Sequence, residues 1–469
     1  MANKVMLYNT LSKKIEEFIP NEEGKVKLYT CGPTVYHFAH IGNLRTYMME
    51  DVLEKFLSYA GYDVKRVMNI TDVGHLANDA DVGEDKMVAG AKREHKSVME
   101  IAKFYMDAFF DDCAALNIKK PEIIERATSC IDEYIKLITI LLDKDFAYQA
   151  GGNIYFDISK LDDYYILTGH NSESLAVGVR DDVEEDSNKR NNGDFVLWFT
   201  QSKFADQALR WDSPWGVGYP GWHIECSAIS MKHFGEYLDI HCGGIDNIFP
   251  HHTNEIAQSE SVLGHKWCNY WFHVHHLNTT SGKMSKSSGE FLTLSLLKEK
   301  GYSPLVYRMF CLQSHYRKPL VFSYETLDNA VLTYNKLRDK ISSLSKDGEV
   351  DTKALEEYRS KFIEALSNDI NTSSGITLLY DALKADFNDV TKRAIAEDFD
   401  RVLSLDLTED IVEEKIDGDL EAYVLSKIED RQNAKLNKNY ALADEIRNEL
   451  LEKGIVLKDT KEGTSWSKN

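Results

Sequence analysis

A chain of 469 residues, 43% hydrophobic and 11% aromatic, is long enough for two to four domains with filled cores, which excludes a disordered or low-complexity protein. No apolar run approaches the roughly 20 residues of a membrane helix and no leader pattern opens the chain, so the cytosol is the expected compartment and no membrane partner is expected. A formal charge of -21 opposes phosphate binding unless the acids are segregated, and seven scattered cysteines, an odd number, argue against a disulfide framework.

The acids are segregated. From Asp406 to Glu421 eight acidic residues face Lys415 alone, whereas Ser426 to Asn469 carries nine bases and eight acids. An acidic linker therefore precedes a nearly neutral terminal module.

In chain order, Lys25 to Cys31 alternates apolar and polar residues and predicts a strand running into Gly32-Pro33. Leu44, Met48, Val52 and Phe56 fall at helical spacing with Gly61 as the stop, and Val64 to Ile70 predicts a second strand. This unit seeds a parallel α/β sheet whose ligands gather at the loops after the strands. From Pro121, the positions Ile124, Ala127, Ile131, Ile135, Ile138 and Leu142 predict one long amphipathic helix. A hairpin is expected at Ala147-Tyr148 and Ile154-Tyr155-Phe156, and Asp181 to Asp194 should be an exposed loop. The α/β pattern resumes with a helix from Trp222 to Phe234 and a strand at Leu238 to His241. Beyond Ser323, Leu327, Leu332, Leu337, Ile341, Phe362, Leu366, Leu379 and Leu383 predict a helical bundle, and the tail predicts a helix from Tyr440 to Lys453 and a strand at Ile455 to Leu457.

Three constellations carry chemistry. His251 and Glu255 are four apart on one helix face and with thiolates from Cys31 and Cys226 would complete a tetrahedral metal site. By spacing alone, two core cysteines and an ion-paired helix are the simpler reading. Nine of the fifteen histidines lie between His223 and His276, which favours a metal there and leaves its ligands ambiguous. His40-Ile41-Gly42-Asn43 sits where a strand passes into a helix, the place for phosphate, although an ordinary helix start fits those four residues as well. Lys283 and Lys286, on the Gly- and Ser-rich stretch Ser281 to Gly289, suit closure over a polyphosphate.

Taken together, Cys31-Gly-Pro-Thr-Val-Tyr36, His40-Ile-Gly, Pro220-Gly-Trp-His-Ile-Glu-Cys-Ser227, Phe249-Pro-His-His-Thr-Asn-Glu255 and Lys283-Met-Ser-Lys-Ser287 occur in the order found in cysteinyl-tRNA synthetases. The resemblance covers nearly the whole chain, to Ala441-Leu-Ala-Asp-Glu-Ile-Arg447 and Asp459 to Thr464. It implies a Rossmann-like parallel-sheet catalytic domain (1–120 and 220–264) with an inserted connective domain (121–219). A stem-contact region (265–325), a helical bundle (326–405) and a small α+β anticodon-contact module after the acidic linker (406–469) would follow. It implies one Zn2+ per chain on Cys31, Cys226, His251 and Glu255, with His252 and Cys242 as neighbours. L-cysteine would be activated by ATP with Mg2+ and passed to tRNA(Cys) by a monomer. His40, Asn43, Lys283 and Lys286 would be catalytic; His40, Gly42, Gly243, Gly244, Asp246 and Lys286 would hold ATP; Gly32, Thr71 and Trp222 would line the cysteine pocket.

The sequence departs from that pattern twice. Asn43 stands where the family usually has a second histidine, so an amide donor replaces a charge, and Val73-Gly74-His75 leads into Asp79, Asp81, Glu84 and Asp85 in place of the usual acidic and basic cluster. A relative passing activated cysteine to a small amine, as mycothiol-pathway ligases do, shares every catalytic motif but has little need of the terminal module. A binding paralogue that has lost activation has only Asn43 in its favour.

Overall fold

A computed structural model of the chain describes residues 3–73, 97–169, 186–201, 209–279, 282–283, 291–409, 418–437, 439–453, 455–460 and 463–468. The chain divides into two compact units, Met1–Thr408 and Glu409–Asn469.

The first unit opens with a hairpin, β1 (Met6–Asn9) and β2 (Lys14–Glu17), and then enters the central sheet at β3 (Lys25–Thr30). Helix α1 (Ile41–Tyr59) crosses to β4 (Asp63–Ile70), and α2 (Val98–Ala115), opened by a capping box between Ser97 and Glu100, leads to β5 (Ile123–Arg126). After α3 (Ile131–Asp143) comes an antiparallel sheet of β6 (Ala147–Ala150), β7 (Asn153–Phe156), β8 (Phe195–Phe199) and β9 (Tyr219–Pro220). Helix α4 (Trp222–Phe234), β10 (Leu238–Gly244), α5 (His251–Leu263) and β11 (Cys268–Val274) complete the core.

The central sheet has the order β11-β10-β3-β4-β5, every pair parallel. The chain winds outward from β3 through β4 to β5 and, later, from β10 to β11. The winding direction therefore reverses between β3 and β10, and a crevice opens beyond their carboxyl ends. Burial divides accordingly. Leu44, Met48, Val52 and Phe56 of α1 fill the core on one face, and Tyr134, Ile138, Ile229 and Ile256 of α3, α4 and α5 belong to a separate core cluster. The expectation of a Rossmann-like parallel α/β sheet is met.

One element differs from expectation. The residues after Pro121 do not begin a long helix: β5 pairs with β4 in the register Val67↔Ile123 to Ile70↔Arg126, a 3-10 turn follows at Ala127–Ser129, and the helix starts at Ile131. Ile123 and Ile124 suit either period, and the open edge of β4 supplies the backbone hydrogen-bond partners that decide between them. The polar run toward Asp194 is also less exposed than its composition suggests; residues 181–185 lie outside the described residues. Asp194 is buried and accepts the Tyr148 hydroxyl at 2.7 Å and the Ile158 N–H at 3.0 Å, while Asp186 accepts the Tyr155 hydroxyl at 2.7 Å.

Beyond β11, β12 (Leu277–Thr279) pairs with β13 (Gly282–Lys283) and β14 (Leu320–Phe322), and α6 (Leu294–Glu299) and α7 (Pro304–Leu312) lie between them in sequence. The bundle follows as α8 (Tyr324–Ser342), α9 (Thr352–Leu366), α10 (Thr372–Lys384) and α11 (Asp389–Leu403). Its core is that of α1, with Phe362 stacked on Phe399 at 4.0 Å and edge-on to Tyr59 at 5.6 Å. Leu332, expected inside, is 67% exposed; Ala330 and Tyr334 take the inward positions of α8. The second unit packs α12 (Gly418–Leu436) and α13 (Tyr440–Glu452) with β15 (Ile455–Thr460) around Val424, Ile446, Leu450, Ile455 and Leu457, and β15 has an antiparallel partner, β16 (Gly463–Lys468), that the sequence reading omitted. Among the described residues no helix is long and apolar enough to cross a membrane.

Candidate active site and metal centre

Four donors converge at the crevice between β3 and β10. Cys31 follows the last residue of β3, Cys226 lies in α4, and His251 and Glu255 occupy the first turns of α5, one turn apart on one face. Helix α5 starts at His251, which places both His251 and Glu255 on it as expected. The donor atoms of the four side chains all lie within 4.8 Å of one another. Cys226, His251 and Glu255 are buried while Cys31 is partly exposed, so the cluster opens toward solvent on the Cys31 side.

The edges of this cluster test whether a metal fits. Zinc–ligand bonds in a tetrahedron require about 3.8 Å between two sulfurs and about 3.6 Å between sulfur and imidazole nitrogen. The Cys31 and Cys226 sulfurs are 3.8 Å apart, and Cys226 Sγ is 3.5 Å from His251 Nε2. Glu255 Oε1 lies 3.0 Å from His251 Nε2 and 4.0 Å from Cys31 Sγ, on either side of the ideal edge of about 3.4 to 3.6 Å. Two thiols, an imidazole and a carboxylate are the donor set for a zinc-like ion. Burial pushes the Cys31 and Cys226 thiols and the Glu255 carboxyl upward from their ordinary values, so these three groups resist ionisation until a divalent ion provides the opposing charge.

A second grouping, Cys31, His241, His252 and Glu255, meets the same distance limit but shares two of those residues. Its His241 Nε2 is 2.7 Å from Glu255 Oε2, a hydrogen-bond length shorter than the separation of two ligands on one ion. His241 is therefore the partner of the carboxylate's second oxygen. Burial holds its imidazole down at about 3, neutral at physiological pH. His223 Nδ1 meets His251 Nδ1 at 3.0 Å, leaving His251 Nε2 to face the sulfurs. These outer histidines were not assigned from sequence; their signal was the crowding of histidines between His223 and His276, which gives no pairing.

Gly32, Thr71 and Trp222 border the same cluster. A Cβ on Gly32 would sit 1.6 Å from the Asn69 carbonyl oxygen, so no larger residue lets β3 run this close to β4, and the Gly32 N–H donates to Asn69 Oδ1 at 2.8 Å. The Thr71 hydroxyl donates to Glu225 Oε2 at 2.6 Å; that buried carboxyl, raised well above its ordinary value by burial, is another group the sequence did not single out. Trp222, the first residue of α4, stacks on His251 at 4.2 Å.

The phosphate-motif residues form the opening of α1. His40 is its N-cap, extended at φ -81° and ψ 159°, and its Nδ1 accepts the Asn43 N–H at 3.2 Å, which leaves the proton of the neutral ring on Nε2. Gly42 and Asn43 occupy the first turn, where helix N–H groups favour anions. The Ile41 N–H bonds to the Leu292 carbonyl at 2.9 Å, and His40 bridges to Thr293, so the chain leaving the lysine-rich loop is tied to this turn. Gly243 and Gly244 end β10, and a Cβ on Gly244 would be 3.7 Å from Thr46 Oγ1 of α1, which makes this turn and the start of α1 neighbours. Asp246, exposed, lies 3.4 Å from His276. Of Lys283 only the backbone is described, paired with Asn278; Lys286 lies outside the described residues, as does the divergent stretch after Val73, Gly74 to Asp85.

Comparison with known proteins follows this geometry. A family described as the tRNA synthetases class I (C) catalytic domain matches residues 17–332. The cysteine–tRNA ligase of Treponema denticola is 47% identical over 98% of this chain and 99% of its own length. Those of Borrelia garinii subsp. bavariensis, at 43% over 98% of each chain, and Clostridioides difficile, at 40% over 98% of this chain and 99% of its own, are similar in extent. Among solved structures, the methionyl-tRNA synthetase of Mycobacterium tuberculosis in complex with methionyl-adenylate shares the fold, with TM-score 0.55 at 14% identity over 81% of this chain and 90% of its own. An Agrobacterium radiobacter LeuRS–tRNA–LeuAMS complex does so with TM-score 0.54 at 12% identity over 83% of this chain and 84% of its own. Matches of this depth across almost the entire length show that the chain belongs to the class I tRNA synthetases, in the family of the cysteine–tRNA ligases.

Proposed function

We infer that this enzyme activates L-cysteine with ATP and transfers it to tRNA(Cys), with zinc as the ion that selects the substrate's side chain. The carrying observation is the convergence of Cys31, Cys226, His251 and Glu255 with sulfur–sulfur and sulfur–nitrogen separations that suit one tetrahedral ion. Zinc held by these four residues would supply a borderline-soft Lewis acid, which favours a thiolate over the hard hydroxyl of serine. A directional bond of this kind separates close analogues better than an apolar pocket, worth roughly 1 to 3 kcal/mol.

The chain's own residues do the rest by placement and charge. Trp222, stacked on His251, walls the pocket, and Thr71 and Gly32 border it from the ends of β4 and β3. A cysteine carboxylate oxygen attacks the α-phosphorus of ATP; an oxygen–phosphorus bond forms, the bridging bond to the β-phosphate breaks, and pyrophosphate leaves with Mg2+. His40 Nε2–H and the α1 N-terminus, with Gly42 and Asn43, meet the phosphates, while Gly243, Gly244 and Asp246 hold the adenosine. Lys283 and Lys286 enter this reading from the sequence motif, as the cations that close over the leaving pyrophosphate. The terminal ribose hydroxyl of the tRNA then attacks the adenylate carbonyl and AMP leaves. The Glu409–Asn469 unit contacts the anticodon in this reading, and the working form is a cytoplasmic monomer.

The test is exchange between ATP and pyrophosphate driven by cysteine or by serine, with and without a chelator. Cysteine-driven exchange that disappears on chelation, with serine near background, is expected; serine-driven exchange at a comparable rate overturns the reading.

A further inference from the structure

His252 neighbours the cluster, its Nε2 4.0 Å from Glu255 Oε1, and it ends a chain of buried groups that the mechanism does not use. Its Nε2 is 3.3 Å from Cys31 Sγ, its Nδ1 is 2.8 Å from His273 Nε2, and His273 Nδ1 is 2.8 Å from Thr10 Oγ1. All three residues are buried, His252 completely. Thr10 follows β1, and its N–H is fixed to the Trp271 carbonyl of β11 at 3.0 Å. The chain therefore runs from the first hairpin through the end of the sheet to the partly exposed sulfur of the cluster.

A thiolate that ligates a metal has no proton and only accepts hydrogen bonds. His252 Nε2 must then be the donor, which makes its Nδ1 an acceptor. His273 must donate from Nε2, and its Nδ1 must accept. Thr10 is the only member whose hydroxyl serves either role, and here it donates. We propose that Thr10 and His273 are positioning residues that hold His252 in the tautomer whose Nε2–H donates to the Cys31 sulfur. The bond withdraws charge from one of two thiolates, fixes the direction of the Cys31 side chain, and so governs how firmly the metal is kept and how strongly it draws a third sulfur. This rests on the reading of Cys31 as a metal ligand.

The variant to make is Thr10→Val, which keeps the volume and removes only the hydroxyl, beside Thr10→Ser, which restores it. Two quantities are read on full-length protein: the rate of zinc release to a chelator, and the thiolate-to-metal charge-transfer band after replacement by Co2+. Thr10→Val is expected to release zinc about tenfold faster and to move the band to longer wavelength, with Thr10→Ser close to wild type. His252→Gln, which retains an N–H donor, should keep one metal per chain. Thr10→Val indistinguishable from wild type in both quantities overturns the proposal. So does loss of metal from His252→Gln as complete as from His251→Ala, which would make His252 itself a ligand. Absence of any thiolate band in the wild-type cobalt protein would instead refute the metal reading beneath it, and this proposal with it.

Discussion

Two buried polar clusters, one where α1 meets the bundle and one at the crevice between β3 and β10, handle charge in opposite ways. Where α1 meets the bundle, Asp51 is paired with Arg308 at 2.8 Å and Lys55 at 2.9 Å and accepts the Lys119 N–H, while Arg308 also donates to the Leu403 and Leu116 carbonyls. Arg45 similarly donates to the carbonyls of His275, His276, His315 and Lys318. Every ion there has its counter-charge or its hydrogen bonds from the chain itself. At the crevice, two thiols and a carboxyl face one another with the neutral His241 imidazole behind them and no Lys or Arg paired with them among the described residues. The first arrangement is complete without a ligand and serves the fold; the second, in the proposed reading, is completed by a positive ion and serves chemistry. Counting which charges the protein supplies separates the two more reliably than burial, since both are largely buried.

The largest effect that would break this contrast is on the compensated side. Arg308→Ala leaves Asp51 with Lys55 as its one cationic partner and removes the bonds to the Leu116 and Leu403 carbonyls, and should destabilise the first unit by about 3–5 kcal/mol in denaturant unfolding; a loss below about 1 kcal/mol would mean the pair is not what holds α1 to the bundle. On the other side, Cys226→Ser should leave the fold intact and lower cysteine-dependent pyrophosphate exchange about 100-fold, with loss of bound metal. Unchanged exchange would remove the cluster from the chemistry.

Glu50 sharpens the contrast, because it belongs to neither class. Both its oxygens are buried without a partner among the described residues, and burial, opposed by Arg66, pushes its carboxyl up to about 8. The folded state keeps the proton that the unfolded chain gives up near 4.5, so stability falls as pH rises from about 4.5 to 8. Glu50→Gln should therefore raise stability at pH 8 by about 1–3 kcal/mol and change little at pH 4, read by thermal unfolding at the two values. Equal effects at both pH values would show that folding does not shift this carboxyl. The smallest effect is at the phosphate turn: Asn43→His should leave activity equal or up to about tenfold higher, because it adds a charge-assisted donor at a helix start already set by His40. A large loss would place Asn43 elsewhere in the site.

Much of this was legible in the chain because it is carried by local rules. The helices at Ile41 and Trp222 follow from their apolar spacing, and the metal set followed from motif order once His251 and Glu255 were seen one turn apart. What was not legible depends on partners distant in sequence. Ile123–Arg126 is a strand because β4 has an open edge, and β16 exists because β15 needs an antiparallel partner. The pairing of His241 with Glu255, of His223 with His251 and of His252 with His273 is set by how α4, α5, β10 and β11 stack, which no spacing of histidines encodes.

The most direct test of the uncompensated cluster is zinc-edge X-ray absorption on the purified protein before and after adding L-cysteine. One zinc per chain with two sulfur ligands, gaining a third sulfur with L-cysteine and none with L-serine, is the predicted result. Protein that activates cysteine without metal, or a metal whose sulfur count does not change, would contradict the account.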